Sequence, residues 1–211
     1  VSLILGHRAN TARWLRRHLR CGDGVEVDVV SAGDALRTGH QGPAGRPLLL
    51  RERLGGFISN LHLAPSPLLH EVLSLLPRGS LVMLDVKDPV EPRRIIDALR
   101  AAGVDTGSVL VTSRWHSLVA SVSRLGPRGL LSIDCRPVDP AGLVSSSGAA
   151  GLAVRYSYVD RGLVEALHAS GFLVAAWTVN EPEALRRLEG LGVDIVVTDD
   201  PCRARRWLRG G

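Results

Sequence analysis

Three short patterns in the first half of the chain have the residue types and spacing to handle a phosphate ester. They are His7-Arg8, Glu26-Val27-Asp28 and Asp85-Val86-Lys87, with a second imidazole at His40. Residues two apart on a strand point to one face, so Glu26 and Asp28 share a side, as do Asp85 and Lys87. Two carboxylates facing a layer of packed helices would be costly, so they belong at the mouth of whatever the strands enclose. Three carboxylates meeting there repel unless a cation joins them. Oxygen ligands without clustered histidine or cysteine suit a hard divalent ion, Mg²⁺ or Ca²⁺, better than zinc. Such an ion, with Arg8 and Lys87, can hold phosphate oxygens and stabilise developing charge. One histidine can take a proton from a nucleophile while the other protonates a leaving group. Singly these signals are common: Asp-x-Lys is usually a surface ion pair, and a lone histidine is usually a hydrogen-bonded one. They gain weight only if the fold brings them to one place.

The elements that must do so alternate regularly. Short, nearly all-apolar runs at 2–5, 25–29, 81–86, 109–112, 130–133, 152–155, 173–178 and 195–198 read as parallel strands covered on both faces. Amphipathic stretches at 11–20, 67–76, 92–102, 115–125, 160–170, 182–191 and 201–208 read as helices, with 139–147 the weakest. Eight βα units with short connections predict a single compact (β/α)₈ barrel over residues 1–211. A doubly wound open sheet usually has fewer strands. In a barrel the chemistry collects at the C-terminal strand ends. There lie His7-Arg8, Glu26, Asp28, Asp85 and Lys87, and later strands finish at Ser113, Asp134, Arg155, Trp177 and Asp199. The stretch 31–65, rich in glycine and proline, reads as an irregular loop over one face. His18, His62, His70, His116 and His168 fall on helices or loops and read as structural.

The composition is that of a globular domain: 211 residues, 45% hydrophobic and 22% charged. No apolar run reaches the roughly 18 residues of a membrane helix. Of 26 basic residues only Lys87 is a lysine. A coding bias towards arginine makes a retained lysine informative, because a guanidinium cannot copy a compact ammonium everywhere. The net charge of +5 comes with 4% aromatic residues and no basic stripe interleaved with them, so nucleic acid is not an expected partner. Cys21, Cys135 and Cys202 form no metal-ligand pattern. Their odd number, with an opening VSLILGH that reads as a strand, sets the expectation of a reducing, cytoplasmic setting. The scarcity of Asn, Gln and Met leaves a disulfide open as a thermophilic feature.

The ordered set resembles the glycerophosphodiester phosphodiesterase family. That family carries His-Arg after the first strand of a (β/α)₈ barrel, Glu-x-Asp on the second, His-Asp in the next loop and Glu-x-Lys on the third. Here these read His7-Arg8, Glu26-Val27-Asp28, His40-Gln41 and Asp85-Val86-Lys87. Asn10-Thr11, Val111-Thr112-Ser113, Trp177-Thr178-Val179-Asn180 and the run from Gly192 to Pro201 extend the likeness. The resemblance implies a divalent metal on Glu26, Asp28 and Asp85, and His7 and His40 as the acid–base pair. It implies Arg8 and Lys87 on the phosphate and Trp177 lining the pocket. The implied substrate is a small glycerophosphodiester or a lysolipid, cleaved to glycerol phosphate and an alcohol through a cyclic phosphate.

The sequence departs from the pattern at Asp85, one methylene shorter than the usual glutamate, and at Gln41 in place of the acid after the second histidine. The first loop is short, and the insertion after the second strand shrinks to about residues 41–65. Asp-x-Lys on the third strand also occurs in the sphingomyelinase D-like phospholipases, a second reading. A barrel that binds a phosphorylated ligand without turnover is a third.

Overall fold

A computed structural model describes residues 2–40 and 66–209. In chain order the elements are β1 (Leu3–Gly6), α1 (Ala12–His18), β2 (Gly24–Ala32), β3 (Ala35–Thr38), α2 (Leu69–Leu73), β4 (Leu81–Val86), α3 (Pro92–Ala101), β5 (Val109–Ser113) and α4 (His116–Ser123). They continue as β6 (Arg128–Ile133), α5 (Pro140–Ser147), β7 (Gly151–Arg155), α6 (Arg161–Ala169), β8 (Leu173–Trp177), α7 (Pro182–Gly190), β9 (Ile195–Thr198) and α8 (Pro201–Leu208). The parallel strands β1, β2, β4, β5, β6, β7, β8 and β9 pair in that order, and β9 pairs with β1, so the sheet closes. This is the expected (β/α)₈ barrel. Among the described residues no helix is long and apolar enough to cross a membrane.

Strand parity builds the core. Leu5, Met83, Leu110, Leu130, Ala153, Ala175, Ile195 and Val197 point inward and fill the barrel. Their neighbours, such as Val27, Leu84, Val111, Val154 and Val196, point outward and pack under the helices. Each buried leucine or valine is worth about 1.5–3 kcal/mol. The helices begin where the sequence supplies stop-free starts: Pro92, Pro140, Pro182 and Pro201 enter first turns, and Asp139, Asp160 and Asp200 cap α5, α6 and α8.

One element departs from expectation. The segment after 31 does not begin as an irregular loop. Strand β2 runs on to Ala32, turns at Gly33-Asp34 and pairs antiparallel with β3, from Ala32 with Ala35 to Val29 with Thr38. Gly33 takes a φ of 59°, which a two-residue hairpin asks of its first turn residue. Alternation is weak over four residues, which is why the strand escapes a pattern reading. Its effect is to carry the chain back to the barrel mouth, where the Gly39 amide donates to the Asp28 carbonyl at 3.2 Å. Gln41 and the reduced insertion after it lie outside the described residues.

A disulfide joins Cys21 to Cys202, 181 residues apart, and Cys135 is free and exposed. Sequence spacing could not pair the two. They meet because closure sets β1 beside β9 and therefore α1 beside α8. Arg205 reinforces the seam, donating to the Cys21 carbonyl at 3.1 Å and pairing with Asp23. A cross-link over so long a loop removes much of the unfolded chain's freedom. Cys202→Ser is expected to cost about 2–5 kcal/mol in urea unfolding. Thiol titration should count one reactive group in the native protein and three after reduction and unfolding. Three in the untreated protein would dismiss the bridge.

Candidate active site

The loop after β1 is laced to the carboxylates of β2. The His7 amide continues the sheet by donating to the Thr198 carbonyl at 2.8 Å. The Arg8 amide donates to Glu26 Oε2 at 2.7 Å, and the Ala9 amide to the Glu26 carbonyl at 2.8 Å. Arg8 sits at φ 55°, the left-handed region that favours glycine, and these two bonds hold it there. Asn10 then clamps Asp28 with both ends of its amide. Its Nδ2 donates to Asp28 Oδ2 at 2.9 Å, and its Oδ1 accepts from the Asp28 amide at 2.9 Å. The Thr38 hydroxyl on β3 donates to the Asn10 carbonyl at 2.7 Å and locks the loop from outside.

Inside that frame Glu26, Asp28 and Asp85 each offer a carboxylate oxygen, all within 4.8 Å of one another. The register makes this so: Asp28 pairs directly with Asp85 across β2 and β4. Glu26 and Asp28 are buried, at 3% and 0% exposure. Lys87 threads between them, with Nζ 2.6 Å from Asp28 Oδ1 and in contact with Asp85. Burial acts against the charge on Asp28. Hydrogen bonds from His40, Lys87 and Asn10, with the Lys87 charge, outweigh it and hold that carboxyl well below the usual range. Burial likewise works against the Lys87 ammonium, but Asp85, Asp28 and Glu26 together raise it above its ordinary value. For Glu26 the Lys87 charge and the Arg8 amide act in the same direction but are outweighed. Burial first, then the charges of Asp28 and Asp85, push its carboxyl well above the usual carboxylate range. Its Oε1 is buried without a hydrogen-bond partner among the described residues. An all-oxygen cluster with a buried, unpartnered acceptor at Glu26 Oε1 and three acids against one lysine fits a hard divalent cation.

Both histidines reach this place. His7 Nδ1 lies 2.6 Å from Asp199 Oδ1, leaving Nε2 4.0 Å from Glu26. Asn180 fixes Asp199 in turn: its Oδ1 accepts from the Asp199 amide at 3.0 Å, and its Nδ2 donates to Asp199 Oδ2 at 2.5 Å. The hydrogen bond from His7 holds the Asp199 carboxyl below its ordinary value. His40 Nδ1 lies 3.5 Å from Asp28, and Arg8 Nε lies 3.7 Å from the same carboxylate. His7, Arg8, Glu26, His40, Asp85 and Lys87 line a cavity of about 260 Å³ at the C-terminal end of the barrel strands. Trp177 lines it too, its indole N–H tied to the Ala153 carbonyl at 3.0 Å, with Thr112, Ser132 and Arg114 on other walls.

The structure thus brings together His7, Arg8, Glu26, Asp28, His40, Asp85, Lys87 and Trp177. Sequence reasoning passed over Asp199, although its place at a strand end was the available signal. It also passed over the clamping role of Asn10. His18 is not an isolated helix residue. It lies buried under Gly6, where any Cβ would overlap its ring, and its Nε2 meets the His7 carbonyl at 2.9 Å. His116 and His168 likewise have partners, the Ser132 carbonyl and Asp194. Removing the clamp should be measurable by itself. Asn10→Ala is expected to lower stability by about 1–3 kcal/mol, because it strips bonds from a buried carboxylate and a buried amide. Asn10→Asp should cost more, since it sets a fourth acid against Asp28. Equal denaturation midpoints for all three proteins would show that the clamp carries no weight.

Comparison with known proteins identifies relatives of this chain. A curated glycerophosphodiester phosphodiesterase from Caldanaerobacter subterraneus subsp. tengcongensis is 26% identical over 246 residues, spanning 100% of this chain and 99% of the relative. Two solved structures share the fold. One is a phosphodiesterase from Oleispira antarctica in complex with the product sn-glycerol-3-phosphate. It has a TM-score of 0.79 at 18% identity and covers 100% of this chain and 98% of that one. The other, a glycerophosphodiester phosphodiesterase from Agrobacterium tumefaciens, has a TM-score of 0.78 at 17% identity with 100% of both chains covered. The model of the glycerophosphoryl diester phosphodiesterase family matches residues 79–203, a stretch that includes Asp85, Lys87 and Trp177. Since that match takes in more than half of the 211 residues, the chain belongs to the glycerophosphoryl diester phosphodiesterase family, a family of phosphoric diester hydrolases.

Proposed function

We propose that residues 1–211 act as one domain that hydrolyses small glycerophosphodiesters to glycerol phosphate and an alcohol, dependent on a divalent cation. The observation that carries this reading is the convergence of Glu26, Asp28 and Asp85, with Glu26 Oε1 left without a partner. These three residues would hold Mg²⁺ or Ca²⁺, which supplies charge stabilisation to the phosphate oxygens when bound. Arg8 and Lys87 bind and orient the phosphate. The adjacent glycerol hydroxyl attacks phosphorus, and one of His7 and His40 takes its proton. The other gives a proton to the departing alcohol oxygen, so a cyclic phosphate forms as the ester bond breaks. Water then opens the ring with the two proton roles exchanged. Asp199 suits His7 to this work, because a carboxylate on Nδ1 fixes the ring and leaves Nε2 for the substrate. Trp177 closes one wall of the cavity against the glycerol side.

The shorter acid at Asp85 favours a second reading, release of the cyclic product from a lysolipid. A release assay separates the readings, run over glycerophosphocholine, glycerophosphoethanolamine, lysophosphatidylcholine and sphingomyelin, with and without chelator. Turnover of the soluble diesters, abolished by chelation, is the expected result; choline release from the lysolipid alone would reject it. His7→Ala and His40→Ala should each lower kcat by about 10²–10⁴ with cation binding retained. Glu26→Ala and Asp85→Ala should lose cation binding and turnover together. Lys87→Arg should cost about 10–100-fold, because a planar guanidinium does not fit between Asp28 and Asp85. Near-normal turnover in that variant would falsify the role given to Lys87.

A further inference from the structure

We infer that the flank formed by α1 and α8 is a docking surface for an anionic lipid bilayer. Residues 12–20 and 201–209 contain eight of the 26 basic residues and no carboxylate, so the remaining 18 face all 21 acids. The rest of the sequence taken together is therefore net acidic, and these two stretches carry a dense positive charge. The disulfide and Arg205 hold its two halves side by side. On α1 and just after it, Arg13, Arg16, Arg17 and Arg20 are exposed; on and just after α8, so are Arg203, Arg206 and Arg209. No described carboxylate lies within ion-pair distance of any of the seven, and Asp23 beside them is paired with Arg205. Seven uncompensated guanidinium groups on adjacent helices repel one another in the free protein, and an extended anionic surface relieves that repulsion.

The aromatic residues on the flank favour a bilayer. Trp14 is 41% exposed, with the Arg17 guanidinium 4.9 Å above its ring and the His18 ring stacked at 5.5 Å. Trp207 carries Arg203 in the same way at 4.8 Å. Stacking on nucleic-acid bases needs open ring faces, whereas here each ring carries its own arginine and Trp14 shows solvent its remaining edge. Indole beside arginine, on the outer wall of a barrel, is the pairing that sits at a lipid headgroup layer. The flank also starts at the mouth. Thr11 caps α1 directly after Asn10, so Arg13 and Trp14 lie one turn from the clamp on Asp28. A docked molecule would therefore open its cavity close to the lipid surface. None of this depends on the reaction proposed above.

The test is co-sedimentation of the whole protein with vesicles of phosphatidylcholine alone or with roughly one third phosphatidylglycerol. Binding to the anionic vesicles is expected at about 0.05 M salt and should be largely lost at about 0.5 M, where charges are screened within a few ångströms. Each arginine near such a surface is worth roughly a fivefold change in partition, so Arg13→Gln/Arg17→Gln/Arg206→Gln should weaken binding about 100-fold. Lysine at the same three positions should restore it. None of the three touches the cavity, so turnover of a soluble diester and the unfolding midpoint should stay unchanged. Trp14→Ala should remove a blue shift in tryptophan emission on vesicle addition. Equal binding to neutral vesicles, or binding unaffected by the triple variant, would overturn the proposal. So would an oligonucleotide that binds more tightly than the vesicles and loses affinity in the same variant.

Discussion

A carboxylate taken fully out of water costs several kcal/mol unless its charge is met on the spot. Asp28 is such a group, and the mouth of this barrel is organised around meeting it. Lys87 lies 2.6 Å away, the Asn10 amide grips it from the β1 loop, and His40 and Arg8 approach from two further sides. These partners come from three separate stretches of chain. The β1 loop, the return of the β3 hairpin and the end of β4 are thereby fixed relative to one another. The same constraint accounts for the lone lysine. The space between Asp28 and Asp85 takes a compact ammonium on a flexible stem. An arginine there would have to project a flat fork past both acids.

Much of this was open to a reading of the residues. Period-two spacing placed Glu26 with Asp28 and Asp85 with Lys87 on single faces. Apolar runs between helical stretches gave eight strands, and closure then set all four side chains at one end. What escaped depends on contacts between distant parts of the chain. Cys21 meets Cys202 only because β1 lies beside β9, and His7 meets Asp199 for the same reason. Nothing local to either partner encodes that adjacency. The β3 hairpin was hidden because four residues carry too little alternation to stand out from a glycine-rich loop. His18 was hidden because its burial follows from the glycine at position 6, on the neighbouring strand, and not from its own helix.

The short first loop illustrates how backbone strain can be offset. After His7-Arg8 this chain continues with Ala9 and has no glycine before α1. The left-handed position of the loop falls on Arg8 itself, at φ 55°. An ordinary side chain there costs roughly 1–2 kcal/mol. The bond from the Arg8 amide to the buried Glu26 carboxyl offsets much of that cost, since an ordinary hydrogen bond is worth about 0.5–1.5 kcal/mol. The strain and the carboxylate are thus coupled: Glu26 holds the loop that presents His7 and Arg8.

That coupling bears on the charge of Glu26. One lysine answers Asp28 and Asp85, and nothing answers Glu26 Oε1. In the protein alone, burial and two neighbouring acids favour the protonated form of Glu26. The proposed divalent cation would reverse this balance, because it would supply positive charge beside Glu26 Oε1. The ionised Oε2 then becomes a stronger acceptor for the Arg8 amide. Filling the cluster would tighten the same loop that carries His7 and Arg8. On the proposed reading, metal affinity and the order of the β1 loop are therefore linked through the Glu26 carboxylate.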